Sequence, residues 1–242
     1  MPPILPDTLT RVFIASFPAG PWQTNCYLVA TAAGEECVIV DPGMDAAPTV
    51  AEVIVEHGLK PVAVLLTHGH LDHTFSVTPL CAEYASSAWI HSLDRELLVD
   101  PLKAMSEDTR QLLARLGLPE RMTEPDDVHE LTDGATVPIA GLEFRVDHAP
   151  GHTKGSVLFR TDYPLDDDVE EVVFSGDVLF AGSIGRTDLP GGSTADMLDS
   201  LRAKVATLPA SAVVLPGHGP QTTMARELAT NPYLQHLDRS SL

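Results

Sequence analysis

The chain has 242 residues, a globular composition and a formal net charge of −19, from 34 acidic and 15 basic residues. This length is enough to bury a core, and the acidic surplus disfavours nucleic acid and anionic membranes as partners. There is no apolar run of membrane-spanning length and no signal-peptide pattern at the start, so the sequence predicts a cytoplasmic protein, with its oligomeric state left open.

The first third of the chain predicts strands separated by turns, followed by a helix. Runs rich in β-branched and aromatic residues predict strands at 11–17, 25–31 and 36–43. Apolar residues at helical spacing before a glycine predict a helix over 46–58. The nearly continuous apolar run at 61–68 is typical of a strand buried on both faces.

The next part of the chain changes character. A helix is predicted over 75–84 and a strand over 87–91. Leucines then recur at helical spacing through 93–130, which predicts a helical insertion of one or two amphipathic helices. We interpret this insertion either as a partial cover over a site or as a surface excursion without a role in binding.

The second half repeats the alternation of strands and helices. Strands are predicted at 142–152, 155–161, 171–180 and 212–220, and helices at 194–208 and 222–230. Two β-rich halves with helices predict a single α/β domain over 1–242, an αββα sandwich of two mixed β-sheets with outer helices. The scattered cysteines, Cys26, Cys37 and Cys81, predict buried free thiols rather than a disulfide.

Four segments place histidine or aspartate at the end of an apolar strand, in a turn that contains glycine. Strand ends present functional side chains from a rigid base, and glycine permits tight turns there. The segments are "THGHLDH" with His68, His70, Asp72 and His73, "APGHT" with His152, "FSGDVLF" with Asp177, and "LPGHGP" with His218.

The spacing within "THGHLDH" predicts two ligand sets from one loop. The first two histidines point the same way in an extended or turning segment, while the aspartate and the last histidine point towards an adjacent position. Each set gains one histidine from a later turn, and a carboxylate is suited to bridge them. The predicted sets are His68, His70 and His152, then Asp72, His73 and His218, with Asp177 between them.

The donor types predict the metal and its chemistry. Imidazole and carboxylate without cysteine suit zinc, our default, and leave iron and manganese open. Two divalent cations lower the pKa of bound water from near 16 to roughly 7 and polarise a carbonyl, which predicts hydrolysis by a bridging hydroxide. The other histidines are interpreted as surface or interior groups. His148 is the nearest rival as a ligand, but it lacks a flanking glycine and could instead hydrogen-bond a ligand.

These motifs, in this order, resemble the metallo-β-lactamase superfamily over almost the whole chain. "FSGDVLFAGSIGRTDLPGGS" and "NPYL" further resemble its glyoxalase II-like (hydroxyacylglutathione hydrolase-like) branch, including short bacterial members. The resemblance implies a dinuclear thiolester hydrolase with the seven ligands above, in which Asp72 and Asp177 orient the nucleophile. It also implies that Arg186 meets the carboxylate of the thiol carrier. The alternative for Arg186 is a structural pair with Asp188.

Two departures from the long enzymes of this branch leave the thiol carrier open. The chain ends soon after His218, where those enzymes continue into a helical domain that grips glutathione. Gly219 and Pro220 also stand where those enzymes carry a tyrosine. The carrier is therefore either glutathione or another low-molecular-weight thiol.

Other functions are weighed against thioester hydrolysis. Persulfide dioxygenases resemble this branch and share its "GRTD" stretch, with a single iron that would be held here by His68, His152 and Asp177. Lactone hydrolysis uses the same centre. A β-lactamase is a weaker reading without an export signal or a cysteine ligand, and a non-catalytic binding protein fits a complete ligand set poorly.

Overall fold

The structure is a computed structural model that describes residues 12–115, 120–163 and 169–237. The first of its two six-stranded sheets forms one half of it. Its strands are β1 (Phe13–Ala19), β2 (Thr24–Ala30), β3 (Glu36–Val40), β4 (Lys60–Leu65), β5 (Ser87–His91) and β6 (Val128–Leu131), adjacent in chain order. Strands β1 to β3 pair antiparallel, and β3 to β6 pair parallel. The sheet is therefore mixed.

The second sheet is also mixed. Its chain begins with β7 (Thr136–Ile139), β8 (Leu142–His148), β9 (Val157–Asp162) and β10 (Glu171–Gly176), then makes a separate hairpin of β11 (Leu179–Phe180) and β12 (Ser183–Ile184), and ends with β13 (Val213–Pro216) and β14 (Thr222–Thr223). The order across the sheet is β14-β13-β10-β9-β8-β7, and only β10 and β13 pair parallel.

The two sheets pack face to face. Apolar side chains of both sheets meet in one cluster that includes Val40 and Leu65 from the first sheet and Phe144, Phe159 and Phe174 from the second. Burying each of these side chains contributes about 1.5–3 kcal/mol. After their exposed first residues, β3 and β4 are continuously apolar because both their faces are covered, one by the opposite sheet and the other by helices.

Helices cover the outer faces, which confirms the predicted αββα sandwich. The α-helices are α1 (Ala46–His57), α2 (Leu71–Thr74), α3 (Val77–Tyr84), α4 (Glu107–Arg115), α5 (Thr194–Ser200), α6 (Met224–Thr230) and α7 (Pro232–Gln235), and a π-helix at Leu201–Val205 continues α5. Helix α1 ends where Gly58 adopts a left-handed conformation, as its terminal glycine predicts. No helix among these described ranges has the length and apolarity that a membrane crossing needs.

The segment 93–130 differs in part from the sequence prediction. It contains two short 3-10 helices (Arg95–Leu98 and Pro101–Ala104) and helix α4, but strand β6 begins within its last residues and pairs with β5. The sequence analysis missed β6 because its four residues include exposed His129 and Glu130, which give too short an apolar alternation. Edge strands β7 and β14 were also missed, because they are only four and two residues long, and β14 lies at the start of the run predicted as the helix 222–230.

The three cysteines are free and buried, as predicted. Burial raises the pKa of the Cys37 thiol to about 12 and that of Cys81 to about 11, and raises that of Cys26 well above its ordinary value. A thiol that stays protonated in the folded protein but ionises in the unfolded chain weakens the fold as pH rises. The stability that each protonated thiol contributes is complete below the unfolded pKa of about 8.5. It is lost progressively as the pH rises from that value to the folded pKa.

We therefore expect alkaline destabilisation that depends on these thiols. Between about pH 9 and pH 11, each thiol lowers the free energy of unfolding by about 1.4 kcal/mol per pH unit. The free energy of unfolding is measured by urea unfolding at several pH values in this range. It should fall less steeply with pH for Cys37→Ala than for the unsubstituted protein. Equal slopes in the two proteins would contradict the assigned shift.

Candidate metal centre

The seven predicted ligands lie together at one edge of the sandwich. The turn after β4 carries His68 and His70 and leads directly into α2, which carries Asp72 and His73. The other three ligands follow the ends of second-sheet strands: His152 after β8, Asp177 after β10 and His218 after β13. Hydrogen bonds between the sheets, including Val157 N–H to the Thr67 carbonyl at 2.8 Å, fix these turns relative to one another.

The first ligand group is His68, His70 and His152. One ring nitrogen from each lies within 4.8 Å of the others, and all three side chains are buried. His70 Nδ1 is 2.8 Å from His152 Nε2. The rings of His68 and His70 meet edge to face, with centroids 4.9 Å apart. Three imidazoles therefore converge on one point.

The second ligand group is Asp72, His73 and His218. Its potential ligand atoms also lie within 4.8 Å of one another. His218 Nε2 is 3.2 Å from Asp72 Oδ2 and 3.3 Å from His73 Nε2. This group is less enclosed than the first, because Asp72 and His218 are only partly buried.

Asp177 lies between the two groups. Its Oδ1 is 3.4 Å from His73 Nε2, and its Oδ2 is 3.4 Å from His152 Nε2 and 3.6 Å from His218 Nε2. The carboxylate thus faces ligand atoms of both groups. This is the placement that a bridging carboxylate requires.

Unsatisfied buried atoms test whether these residues fit metal ions. Among the described side chains, His68 Nε2, His70 Nε2 and Asp177 Oδ1 are buried without a hydrogen-bond partner. Each such atom costs about 1–3 kcal/mol unless something binds it. Imidazole and carboxylate donors suit a divalent ion of borderline softness, so the residues present fit a metal centre.

The pKa shifts describe the protonation of the candidate ligand side chains. Burial, reinforced by neighbouring histidines, lowers the pKa of His68 well below its ordinary value and that of His70 to about 3. Burial opposes ionisation of Asp72 and Asp177, but His73 beside them lowers the pKa of both carboxyls. At neutral pH these two imidazoles are neutral and the two carboxylates are ionised, which are the states that ligate metals. Burial disfavours protonation of His73, but the same two carboxylates raise its pKa well above the ordinary value, so metal binding there would release a proton.

Further contacts orient three of the histidines. His152 Nδ1 lies 2.8 Å from the Arg186 carbonyl, and His218 Nδ1 lies 3.1 Å from the Trp22 carbonyl. His73 Nδ1 lies 3.0 Å from Asp41 Oδ2. When each Nδ1–H donates to its oxygen, Nε2 is left with a free lone pair directed at the centre.

Asp41 was missed by the sequence analysis. It is buried, and its carboxylate also accepts hydrogen bonds from the Thr67 backbone N–H at 2.8 Å and the Thr67 hydroxyl at 2.6 Å. The available signal was an aspartate at a strand end in "VIVDPG". In the structure this residue has a backbone φ of 50°, which is uncommon for a residue other than glycine. His148, the rival ligand, instead stacks on His91 and bonds the Lys154 carbonyl.

A cavity of about 230 Å³ opens onto the two groups. Its walls include Trp22 and Leu71, and also Met105 from the segment 93–130. Arg186 lines the cavity too, is 61% exposed, and donates two hydrogen bonds of 2.7 Å to the Asp188 carboxylate. Both environments foreseen for this arginine are thus present together.

The chain belongs to the metallo-beta-lactamase superfamily, whose sequence profile matches residues 19–218. An uncharacterized protein of Mycobacterium tuberculosis is 42% identical over 229 residues, which cover 94% of this chain and all of that protein. The hydroxyacylglutathione hydrolase GloC of Haemophilus influenzae is 32% identical over 91% of this chain and 97% of its own length. The family resemblance inferred from the motifs is therefore confirmed.

Solved structures agree with this assignment. The BLEG-1 B3 metallo-beta-lactamase superposes with a TM-score of 0.78 at 38% identity, over 92% of this chain and 99% of that one. The protein TTHA1623, solved in a di-iron-bound form, has a TM-score of 0.70 at 37% identity, over 92% of this chain and 100% of that one. Proteins with different names therefore share the fold of this chain.

Proposed function

We propose that the protein is a metal-dependent hydrolase that cleaves the thioester bond of small S-acyl thiols. The observation that carries this proposal is Asp177, whose two carboxylate oxygens face ligand atoms of two separate groups. A centre of this kind serves hydrolysis because it presents a nucleophile and an electrophile side by side. The 32% identity with a protein named hydroxyacylglutathione hydrolase supports the thioester as substrate.

Two divalent ions fit the ligand groups, with zinc as our first choice and iron or manganese as alternatives. His68, His70 and His152 would hold one ion, and Asp72, His73 and His218 the other, with Asp177 shared. When bound, such ions lower the pKa of water and polarise the substrate carbonyl. The di-iron form of the relative TTHA1623 supports the capacity for two ions.

The protein's own side chains would orient the reactants. The ionised carboxylates of Asp72 and Asp177 can accept hydrogen bonds from the attacking water and direct its lone pair at the carbonyl carbon. Thr24 donates a hydrogen bond of 3.3 Å to Asp72 Oδ2 and so restrains that carboxylate. The apolar surfaces of Trp22 and Met105 would hold the non-reacting part of the substrate and exclude water.

The setting of the activity follows from charge and cysteine chemistry. We propose a cytoplasmic enzyme, because low-molecular-weight thiols and unpaired buried cysteines both suit a reducing compartment. Its partner is a small thioester. The net charge of −19 disfavours nucleic acid and anionic membranes.

A substrate panel with metal analysis tests the proposal. The purified protein is assayed with S-acyl derivatives of glutathione, coenzyme A and cysteamine, with a lactone, and with a persulfide in an oxygen electrode. We expect two metal ions per chain and thioester hydrolysis that a chelator abolishes and added zinc restores. Oxygen uptake with a persulfide and one iron per chain would overturn the proposal in favour of a dioxygenase using His68, His152 and Asp177. Lactone turnover alone would overturn it in favour of a lactonase.

Arg186 is proposed to bind an anionic group on the thiol carrier. A charge-assisted hydrogen bond contributes about 1.5–3 kcal/mol, so Arg186→Ala should raise KM for an anionic thioester by roughly 10-fold and leave kcat nearly unchanged. KM for an uncharged S-acyl cysteamine should not change. Arg226→Ala, which removes an exposed arginine of α6, is the control. An unchanged KM for the anionic substrate would assign Arg186 only to its pair with Asp188.

A further inference from the structure

Asp94 is a buried carboxylate outside the seven predicted ligands. It lies in the turn after β5, immediately before the 3-10 helix Arg95–Leu98, and is only 1% exposed. Oδ2 accepts hydrogen bonds from the Gly69 backbone N–H at 2.9 Å and the Thr153 hydroxyl at 2.6 Å. Oδ1 accepts one from the Gly155 backbone N–H at 2.7 Å. All three of these donors are uncharged groups.

These donors belong to the two loops that carry the first ligand group. Gly69 separates His68 from His70, and Thr153 directly follows His152. The two loops are distant in sequence, yet His70 Nδ1 and His152 Nε2 come within 2.8 Å of each other. The Asp94 carboxylate therefore links the two loops by hydrogen bonds, at residues adjacent to the ligands in the chain.

The backbone of both loops packs tightly against Asp94 and its neighbour Leu97. A Cβ atom added to Gly155 would lie 2.7 Å from Asp94 Cγ, and one added to Gly69 would lie 2.8 Å from the Leu97 side chain. The Thr153 hydroxyl also contacts the Ser156 hydroxyl at 2.8 Å. Because Thr153 gives its single proton to Asp94, it accepts the proton of Ser156. The loops are thus held by both hydrogen bonds and close contact.

The second ligand group has different supports. His73 is held by Asp41, Asp72 by Thr24, and His218 by the Trp22 carbonyl. None of the hydrogen bonds that the described residues make to Asp94 involves these supports. A change at Asp94 should therefore affect the first group more strongly than the second.

We infer that Asp94 is a positioning residue that sets the affinity of the first ligand group, His68, His70 and His152, for its metal ion. This inference rests on the two-metal centre proposed above. Asp94 would act through its hydrogen bonds to Gly69, Thr153 and Gly155 and not as a ligand. It holds two loops at the separation at which their imidazoles converge, and removing such outer support typically weakens metal binding roughly 10- to 100-fold.

Asp94→Asn provides the test, because the amide keeps the size of the side chain but replaces one acceptor oxygen with a donor. The amide nitrogen then faces an N–H or O–H donor whichever way it is turned. Zinc binding to the metal-free variant is measured by calorimetry and by competition with a chromophoric chelator, with bound metal counted by elemental analysis. Glu96→Gln is the matched control, since it removes the same charge two residues away at an exposed position.

We expect Asp94→Asn to weaken one of the two zinc-binding steps by roughly 10- to 100-fold and to change the other by less than about 3-fold. Thr153→Val, which removes one donor while preserving shape, should weaken the same step by a smaller factor. Glu96→Gln should leave both steps unchanged.

Three outcomes separate the inference from the proposed function. If the unsubstituted protein binds no zinc or a single ion, the two-metal proposal fails. If it binds two ions and Asp94→Asn binds both equally well, only the role of Asp94 fails. Equal weakening of both steps, together with a lower melting temperature of the metal-free variant, would reduce Asp94 to general support of the fold and also overturn the inference.

Discussion

Asp177→Ala is expected to lower kcat for thioester hydrolysis by at least about 10²–10³-fold, even at saturating metal. This carboxylate is the side chain that faces both ligand groups, at 3.4 Å from His73 Nε2 and from His152 Nε2. Alanine removes both oxygens, so neither a shared ligand nor a group that orients water remains. The variant should also bind less than two metal ions per chain by elemental analysis.

Two further variants sharpen this prediction. Asp177→Asn keeps the size of the side chain but not its charge, so its kcat should fall between those of the alanine variant and the unsubstituted protein. Asp199→Ala removes an exposed carboxylate of α5 that pairs with Arg202, and should keep full activity. An alanine variant at position 177 with normal kcat and two bound ions would disprove the shared ligand.

Gly43→Ala is expected to destabilise the protein by about 3 kcal/mol and to impair the second ligand group. A Cβ atom at Gly43 would lie 1.9 Å from the Asp72 carbonyl oxygen, which is backbone and cannot rotate away. The turn after β3 and helix α2 would have to separate, and α2 carries Asp72 and His73. Urea unfolding measures the first effect, and zinc titration measures the second.

Gly34→Ala distinguishes collision from backbone strain. Gly34 has a φ of 87° but no atom within 4 Å of an added Cβ, so its substitution costs only the left-handed conformation, about 1–2 kcal/mol. Zinc affinity should be unaffected in this control. If Gly43→Ala proved as stable as Gly34→Ala and bound zinc normally, the close approach of the two turns would have no energetic importance.

Much of the fold and centre could be predicted because their signals are local. Apolar runs such as β4 and the helical spacing of α1 are read over a few residues, and the ligand motifs place histidines in turns directly after strands. The family resemblance rests on the same motifs. Short edge strands such as β6 lack the length from which a period can be recognised.

Asp41 and Asp94 were not predicted, because the contacts that make them important are with residues distant in the chain. Each is a single aspartate in an ordinary turn, and its partners lie 25 to 61 residues away in the chain. Arg186 is an intermediate case. The sequence suggested two roles, and the structure places Arg186 beside both Asp188 and the cavity.

The ligands come from both sheets, and this affects the order of folding and metal binding. His68 and His73 stem from the first sheet, whereas His152 and His218 stem from the second, so neither half of the chain contains either complete ligand group. Contacts between residues so far apart in the chain form slowly. They must form before an ion can stabilise the structure. Metal capture would thus be coupled to completion of the whole fold, and added ions would slow global unfolding more than they would accelerate early collapse.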